Sequence, residues 1–227
     1  MAGLHNEVLP HSRGTIETWG SDPSSAPIAV LAVHGRGQGP GYMRMLFERI
    51  DVDAFIAAPA ADDASWYPAS FLRPLEENQP GLDGGVAAIE RALQLLQEAG
   101  FGTERVVLAG FSQGACLLSH FLLGGPLGEQ PRRFAGALLL TGGYQGPEDT
   151  PQPEPVAALA GLPVLMSLGS RDPWVPLARA EQTRDALEAS GAQVELLVFE
   201  GDEHIVSDEA VQASRRLIEA ASGTASH

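Results

Sequence analysis

The stretch RVVLAGFSQGACLLSHFLL, residues 105–123, decides how the rest of the chain is read. Its first five residues are a short apolar run of strand type, and its last nine are an apolar run of helical type. Between them stands Gly110-Phe111-Ser112-Gln113-Gly114, a G-x-S-x-G pattern. A strand that enters a helix through so short a link must turn sharply. The turn strains the backbone at Ser112 and lifts its Oγ above the sheet. Gly110 and Gly114 are required because a side chain at either place would collide with neighbouring backbone. The helix N-terminus just after Ser112 supplies a positive dipole end that favours a developing oxyanion. A glycine-rich turn without chemistry could be written in the same letters, so the reading of Ser112 as a nucleophile depends on partners elsewhere.

Outward from this elbow, short apolar runs alternate with helical patterns. Residues 28–33 (IAVLAV), 54–58 (AFIAA), 105–109 (RVVLA), 137–140 (ALLL), 164–168 (VLMSL) and 194–199 (VELLVF) read as strands. Several are apolar on both faces, as parallel strands covered by helices on each side require. Residues 15–19 (TIETW) alternate and read as an antiparallel edge strand. Helices are expected over 83–99, 177–189 and 207–221, the last with Ser207 as N-cap. The pattern predicts one α/β domain over 1–221, a mostly parallel sheet with helices on both faces and no large lid, and a frayed tail over 222–227. Two longer segments, 59–81 and 142–155, interrupt the rhythm. Loops of that kind tend to build the site at the C-terminal ends of the strands.

The order expected after such an elbow is Ser, then an acid, then His, the order of α/β-hydrolase folds. Of six histidines, His5, His11 and His34 precede Ser112. His120 lies two turns into the following helix, and His227 is in the tail. His204 follows the last strand and leads into the last helix, so it is the candidate general base. Asp172 follows the strand VLMSL and is the candidate orienting acid. Asp202 and Glu203 are too close in sequence to His204 to reach its Nδ1 easily. A glycine-rich turn after the first parallel strand, His34-Gly35-Arg36-Gly37-Gln38-Gly39, can aim backbone N–H groups into the site. The expected oxyanion donors are the N–H groups of Arg36 and Gln113. The same turn lacks the third glycine of a dinucleotide-binding fingerprint. His34 reads as a structural hydrogen-bonding residue.

Composition removes other chemistries. The chain has 227 residues, 29 acidic and 14 basic, for a formal charge of −15. All the basic residues are Arg, which excludes Schiff-base lysine chemistry and a P-loop lysine. An acidic surface repels phosphate backbones and anionic headgroups, so no nucleic acid or membrane partner is expected. No apolar run reaches the roughly 18–20 residues of a membrane span. The first residues show no secretory pattern, and a cytoplasmic location is expected. The single cysteine, Cys116, forms no intramolecular disulfide; four residues past Ser112, it reads as a buried core residue. No metal-ligand spacing appears, and neither metal nor cofactor is expected.

With HGRGQ (34–38), GFSQGA (110–115), GSRDPWVP (169–176) and GDEHIVSDE (201–209) in this order, the chain resembles the phospholipase/carboxylesterase family of small α/β hydrolases. That family includes acyl-protein thioesterases. The resemblance implies Ser112, Asp172 and His204 as a triad, and Arg36 and Gln113 as oxyanion donors. It implies an acyl-enzyme mechanism on a small-molecule ester, and a monomer or homodimer. The segment SWYP (65–68) with FLRPLEENQPG (71–81) looks like that of a bacterial carboxylesterase branch. Thioesterase members usually have Gly-Asp where this chain has Gly37-Gln38. Trp66, Tyr67 and Phe71 are expected to wall the substrate pocket, with Trp174 and Val175 forming a second wall. Small or medium acyl esters are the expected substrates. Thioester, lysophospholipid and dienelactone-type hydrolysis stay open, as does a non-catalytic binding module on the same fold. The Arg36 side chain could attract a carboxylate-bearing substrate or pair with a neighbouring acid.

Overall fold

Along the central strands, side chains alternate between two apolar layers, and this alternation places the helices. Leu31, Val33, Leu108, Leu139 and Met166 point to one face, where Ile89, Leu93, Leu117, Phe121 and Leu187 cover them. Val30, Ala32, Val107, Ala109, Leu138 and Leu165 point to the other, against Met43, Phe47, Ile50, Ala210 and Ile218. A strand that buries both faces needs apolar residues throughout, which accounts for the continuous runs in the sequence.

The computed structural model describes residues 9–124, 132–151 and 153–224. Among them, seven strands form one sheet: β1 (Ile16–Gly20), β2 (Ala29–Val33), β3 (Phe55–Pro59), β4 (Val106–Phe111), β5 (Gly136–Leu140), β6 (Pro163–Gly169) and β7 (Gln193–Phe199). Their order is β1-β3-β2-β4-β5-β6-β7. Only the β1–β3 pair is antiparallel, so the expected antiparallel edge strand is present. The helices are α1 (Pro40–Ile50), α2 (Gly81–Glu98), α3 (Gln113–Leu123), α4 (Leu177–Ala189) and α5 (Asp208–Thr224). Helices α2, α3 and α4 cover one face, and α1 and α5 cover the other. The C-terminal edge of the sheet carries loops with short 3-10 turns, and no large lid stands there among the described residues. No helix among these residues is long and apolar enough to cross a membrane.

Two expectations need correction. Helix α1 has no counterpart among the sequence-based helices. Its entrance, Gly39-Pro40-Gly41, reads as loop, yet Pro40 fits the first helical turn, where its missing N–H costs nothing. Met43, Leu46, Phe47 and Ile50 then form a buried stripe at helical spacing. The second correction concerns the tail: helix α5 continues to Thr224, so residues 222–224 are helical. Residues 225–227 lie outside the described residues. The Ser207 cap holds, with the Ala210 N–H donating to Ser207 Oγ at 3.2 Å.

Candidate active site

Strand β4 runs into α3 through Ser112 alone, and the backbone there adopts φ 53°, ψ −118°. That left-handed conformation is costly for a residue with a side chain and persists only where the surroundings enforce it. A Cβ on Gly110 would lie 2.7 Å from the backbone of Gly114 and Ala115. A Cβ on Gly114 would lie 2.2 Å from the Val33 carbonyl oxygen. The two motif glycines therefore let the elbow close against β2.

Strands β6 and β7, parallel to β4, end at the same edge and deliver the other two side chains. His204 Nε2 lies 2.8 Å from Ser112 Oγ, and His204 Nδ1 lies 2.7 Å from Asp172 Oδ2. With Nδ1–H donating to the carboxylate, Nε2 is left as acceptor for the Ser112 hydroxyl. Asp172 Oδ1 accepts the backbone N–H groups of Trp174 (2.8 Å) and Val175 (3.0 Å). The Asp172 side chain is fully buried. Burial alone would raise its pKa, but the His204 ring and the two backbone N–H groups together hold the carboxyl below its ordinary range. The Phe111 ring packs 5.4 Å from the imidazole. Ser112, His204 and Asp172 are thus brought together as expected, while Asp202 and Glu203 are not part of the relay.

Gln113 opens α3, so its backbone N–H has no partner within the helix. Gly35, one residue before Arg36, approaches Ser112 so closely that a Cβ there would lie 3.1 Å from Ser112 Cβ. Both expected oxyanion-donor residues line the cavity at Ser112. That cavity encloses about 460 Å³, and Tyr67, Phe71, Cys116, Trp174 and Val175 also line it. Trp66 does not reach it. Its ring is fully buried, and its indole N–H donates to the His34 carbonyl at 2.8 Å. It borders a separate hollow of about 800 Å³ that neither Ser112 nor His204 touches. Segment 66–69 is a run of bends, and Tyr67 borders both hollows while Trp66 borders only the larger one.

Of the side chains that hold the wall, only Arg36 is singled out from sequence, and for a different role. Gln113 Oε1 accepts the Trp66 N–H (2.9 Å), and its Nε2 donates to the Tyr67 carbonyl (2.8 Å). Buried Asn78 accepts from the Ala69 N–H (2.8 Å) and donates to the Ser70 carbonyl (2.9 Å). Arg36 pairs with no acid among the described residues; its guanidinium donates to the carbonyls of Pro68 (2.8 Å) and Ala69 (2.6 Å). A glutamine inside the elbow motif was a visible signal for the first of these. Asn78, in a polar loop, gave none.

Cys116 is buried as expected but also faces the cavity. Burial pushes its thiol up to about 12, which keeps it protonated and a poor nucleophile. Burial likewise raises the Tyr67 hydroxyl, leaving it a hydrogen-bond donor. His34 is structural, as expected: the Ala61 N–H donates to its Nε2 at 3.1 Å, and its Nδ1 lies 2.8 Å from the Gly35 carbonyl. No group of three metal-ligating side chains occurs among the described residues.

Comparison with known proteins follows the same line. A model of the Phospholipase/Carboxylesterase family matches residues 57–222. A phospholipase/carboxylesterase from Dyadobacter fermentans is 31% identical and superimposes with a TM-score of 0.79, covering 91% of this chain and 96% of that one. The Bacillus cereus carboxylesterase is 20% identical, with a TM-score of 0.68 over 92% of this chain and 94% of its own. Esterase PE8 is 19% identical, with a TM-score of 0.72 over 91% and 98%. The last two likenesses carry the fold only. No curated protein matches the chain.

Proposed function

The chain belongs to the phospholipase/carboxylesterase family, and from that premise we propose that it is a carboxylic-ester hydrolase working through Ser112, His204 and Asp172. One observation carries the reading: the unbroken relay from Ser112 Oγ through the imidazole to a buried carboxylate, at 2.8 and 2.7 Å.

In the first step, His204 Nε2 takes the Ser112 proton as Oγ attacks the ester carbonyl. The backbone N–H groups of Arg36 and Gln113 hold the oxyanion that forms. The imidazolium, stabilised by Asp172, returns the proton to the departing alcohol oxygen, leaving an acyl-Ser112 ester. Water then attacks that ester, with His204 again accepting the proton. Collapse of the second tetrahedral intermediate releases the carboxylic acid and restores Ser112. The carboxylate of Asp172 stays ionised throughout, in keeping with its lowered pKa.

A cavity of about 460 Å³, walled by Tyr67, Phe71, Cys116 and Val175, suits a small or medium acyl ester. A complete relay disfavours a purely binding role, which would not need to keep all three side chains in register. The test is steady-state hydrolysis of p-nitrophenyl butyrate by wild type and Ser112→Ala. The reading expects at least about a 10⁴-fold loss of kcat with the fold retained. Turnover near wild type in the variant would remove Ser112 from the reaction.

A further inference from the structure

The charge of the cavity does not match the charge of the protein. The chain carries 29 acidic residues and a net charge of −15, yet among the described residues no Asp or Glu lines the cavity at Ser112. The one lining residue that carries a full charge is a cation, Arg36. Other arginines, such as Arg44, Arg49, Arg132 and Arg215, lie within ion-pair distance of a carboxylate. Arg36 forms no ion pair among the described residues. Its partners are two neutral carbonyl oxygens, Pro68 and Ala69, and the face of Tyr67, whose centroid lies 5.7 Å from the guanidinium carbon.

Two consequences follow from the chemistry of the group. Carbonyl bonds orient a guanidinium without neutralising it, so its positive charge remains available to a ligand. They also occupy two of five N–H donors, leaving three. The fork is held in place before any ligand arrives, which lowers the ordering cost of binding. Phe71, Val175, Trp174 and Cys116 offer an anion little, and the donors that Tyr67, Ser70 and the reacting groups present carry no full charge, so a carboxylate entering the cavity finds its one fully charged partner in Arg36.

We propose that Arg36 makes this cavity selective for esters that carry a carboxylate, read by the free face of its guanidinium. The proposal rests on the hydrolase reading above and names the substrate class of that same site. It also assigns the Arg36 side chain a role separate from that of its backbone N–H.

The test compares each anionic ester with a neutral ester of similar length, on both sides of the scissile bond. Monomethyl glutarate against methyl pentanoate probes the acyl side, and acetoxyacetate against propyl acetate probes the alcohol side. In wild type the carboxylate ester is expected to have about a tenfold higher kcat/KM on one of the two sides, carried mostly by KM. Raising the salt concentration should shrink that ratio. Arg36→Met should bring it to about one, while Arg36→Lys keeps part of it. Arg36→Met will also loosen the 68–69 segment, so the readout is the ratio between paired esters and not the rate on either. Equal or reversed preference in wild type on both sides would overturn the proposal. So would an Arg36→Met variant that loses neutral and anionic esters in equal proportion, since that marks Arg36 as a clamp for the wall only. Failure of the hydrolase reading looks different: neither member of either pair is turned over in a Ser112-dependent way.

Discussion

Two regions meet at the cavity and are built on opposite plans. The relay of Ser112, Asp172 and His204 stands on three parallel strands, and short turns past their ends fix it with few bonds. The wall over residues 65–71 is neither strand nor helix. It is held by side chains from distant places: Gln113 from the elbow, Arg36 from the turn after β2, and Asn78 from farther along the same loop. A sheet edge positions the first three side chains through strand register, whereas the loop is positioned by separate polar contacts together with the burial of Trp66, Tyr67 and Phe71 in the core. On the proposed function, the difference divides the molecule into a part that sets the reaction and a part that sets the substrate.

The comparison breaks most visibly at Asp172. Asp172→Asn leaves the packing intact but favours the wrong imidazole tautomer, and kcat should fall by about 10³- to 10⁴-fold in ester hydrolysis. The same variant has a stability signature. Because the native carboxyl titrates below its ordinary value, its stabilising effect is complete above the free value of about 3.9. The effect disappears as pH falls through the lower native pKa. A plot of Tm against pH should therefore be flatter on the acid side for Asp172→Asn than for wild type. Parallel curves would contradict the assigned role of the carboxylate.

Gly114→Ala attacks the rigid side through the backbone. Its Cβ would sit 2.2 Å from the Val33 carbonyl, and denaturant unfolding should show a loss of roughly 3 kcal/mol or more. At Gly39, where a Cβ meets nothing within 4 Å, alanine should change stability by less than about 1 kcal/mol. Similar losses at the two glycines would contradict the close-approach argument.

On the wall side, Gln113→Leu strips the Trp66 N–H of its acceptor, while the Tyr67 carbonyl loses one donor and keeps the Ser65 hydroxyl at 2.9 Å. The expected cost is about 1–3 kcal/mol for the group left unsatisfied. The kinetic effect should fall mainly on KM, by about tenfold. A variant whose kcat fell by orders of magnitude at unchanged KM would show that wall and relay are not separable.

The smallest effect concerns Cys116. With its thiol buried and raised to about 12, iodoacetamide should modify it only after unfolding, followed by mass spectrometry. Rapid alkylation of the native protein would mean that the cavity floor is open.

What could be read from sequence follows the same division. Strand runs such as IAVLAV and VLMSL, the elbow glycines and the chain order of Ser112, Asp172 and His204 are all local or ordered signals; the strands form where the runs predict, and the three side chains lie within hydrogen-bond distance in series. Helix α1 was hidden because Gly39-Pro40-Gly41 looks like loop, although its stripe of Met43, Leu46, Phe47 and Ile50 was present. Trp66 reads as a pocket residue beside Tyr67, but its indole N–H is drawn to the His34 carbonyl and its ring is buried in the core, a contact between residues 32 apart that the sequence does not display. The contacts of Arg36 and Asn78 join points far apart in the chain, or within a loop of no period, through hydrogen bonds that leave no pattern in the letters. The lining residues Tyr67, Phe71, Trp174 and Val175 are legible in sequence, but what holds them in place is not.

The central claim, that Ser112 is activated by this relay, is tested most directly by a fluorophosphonate probe with the modified peptide located by mass spectrometry. The relay predicts one adduct per chain, on Ser112, formed rapidly in wild type and at least about 10³-fold more slowly in His204→Ala. An adduct on another residue, or equal labelling of Ser112 without His204, would contradict it.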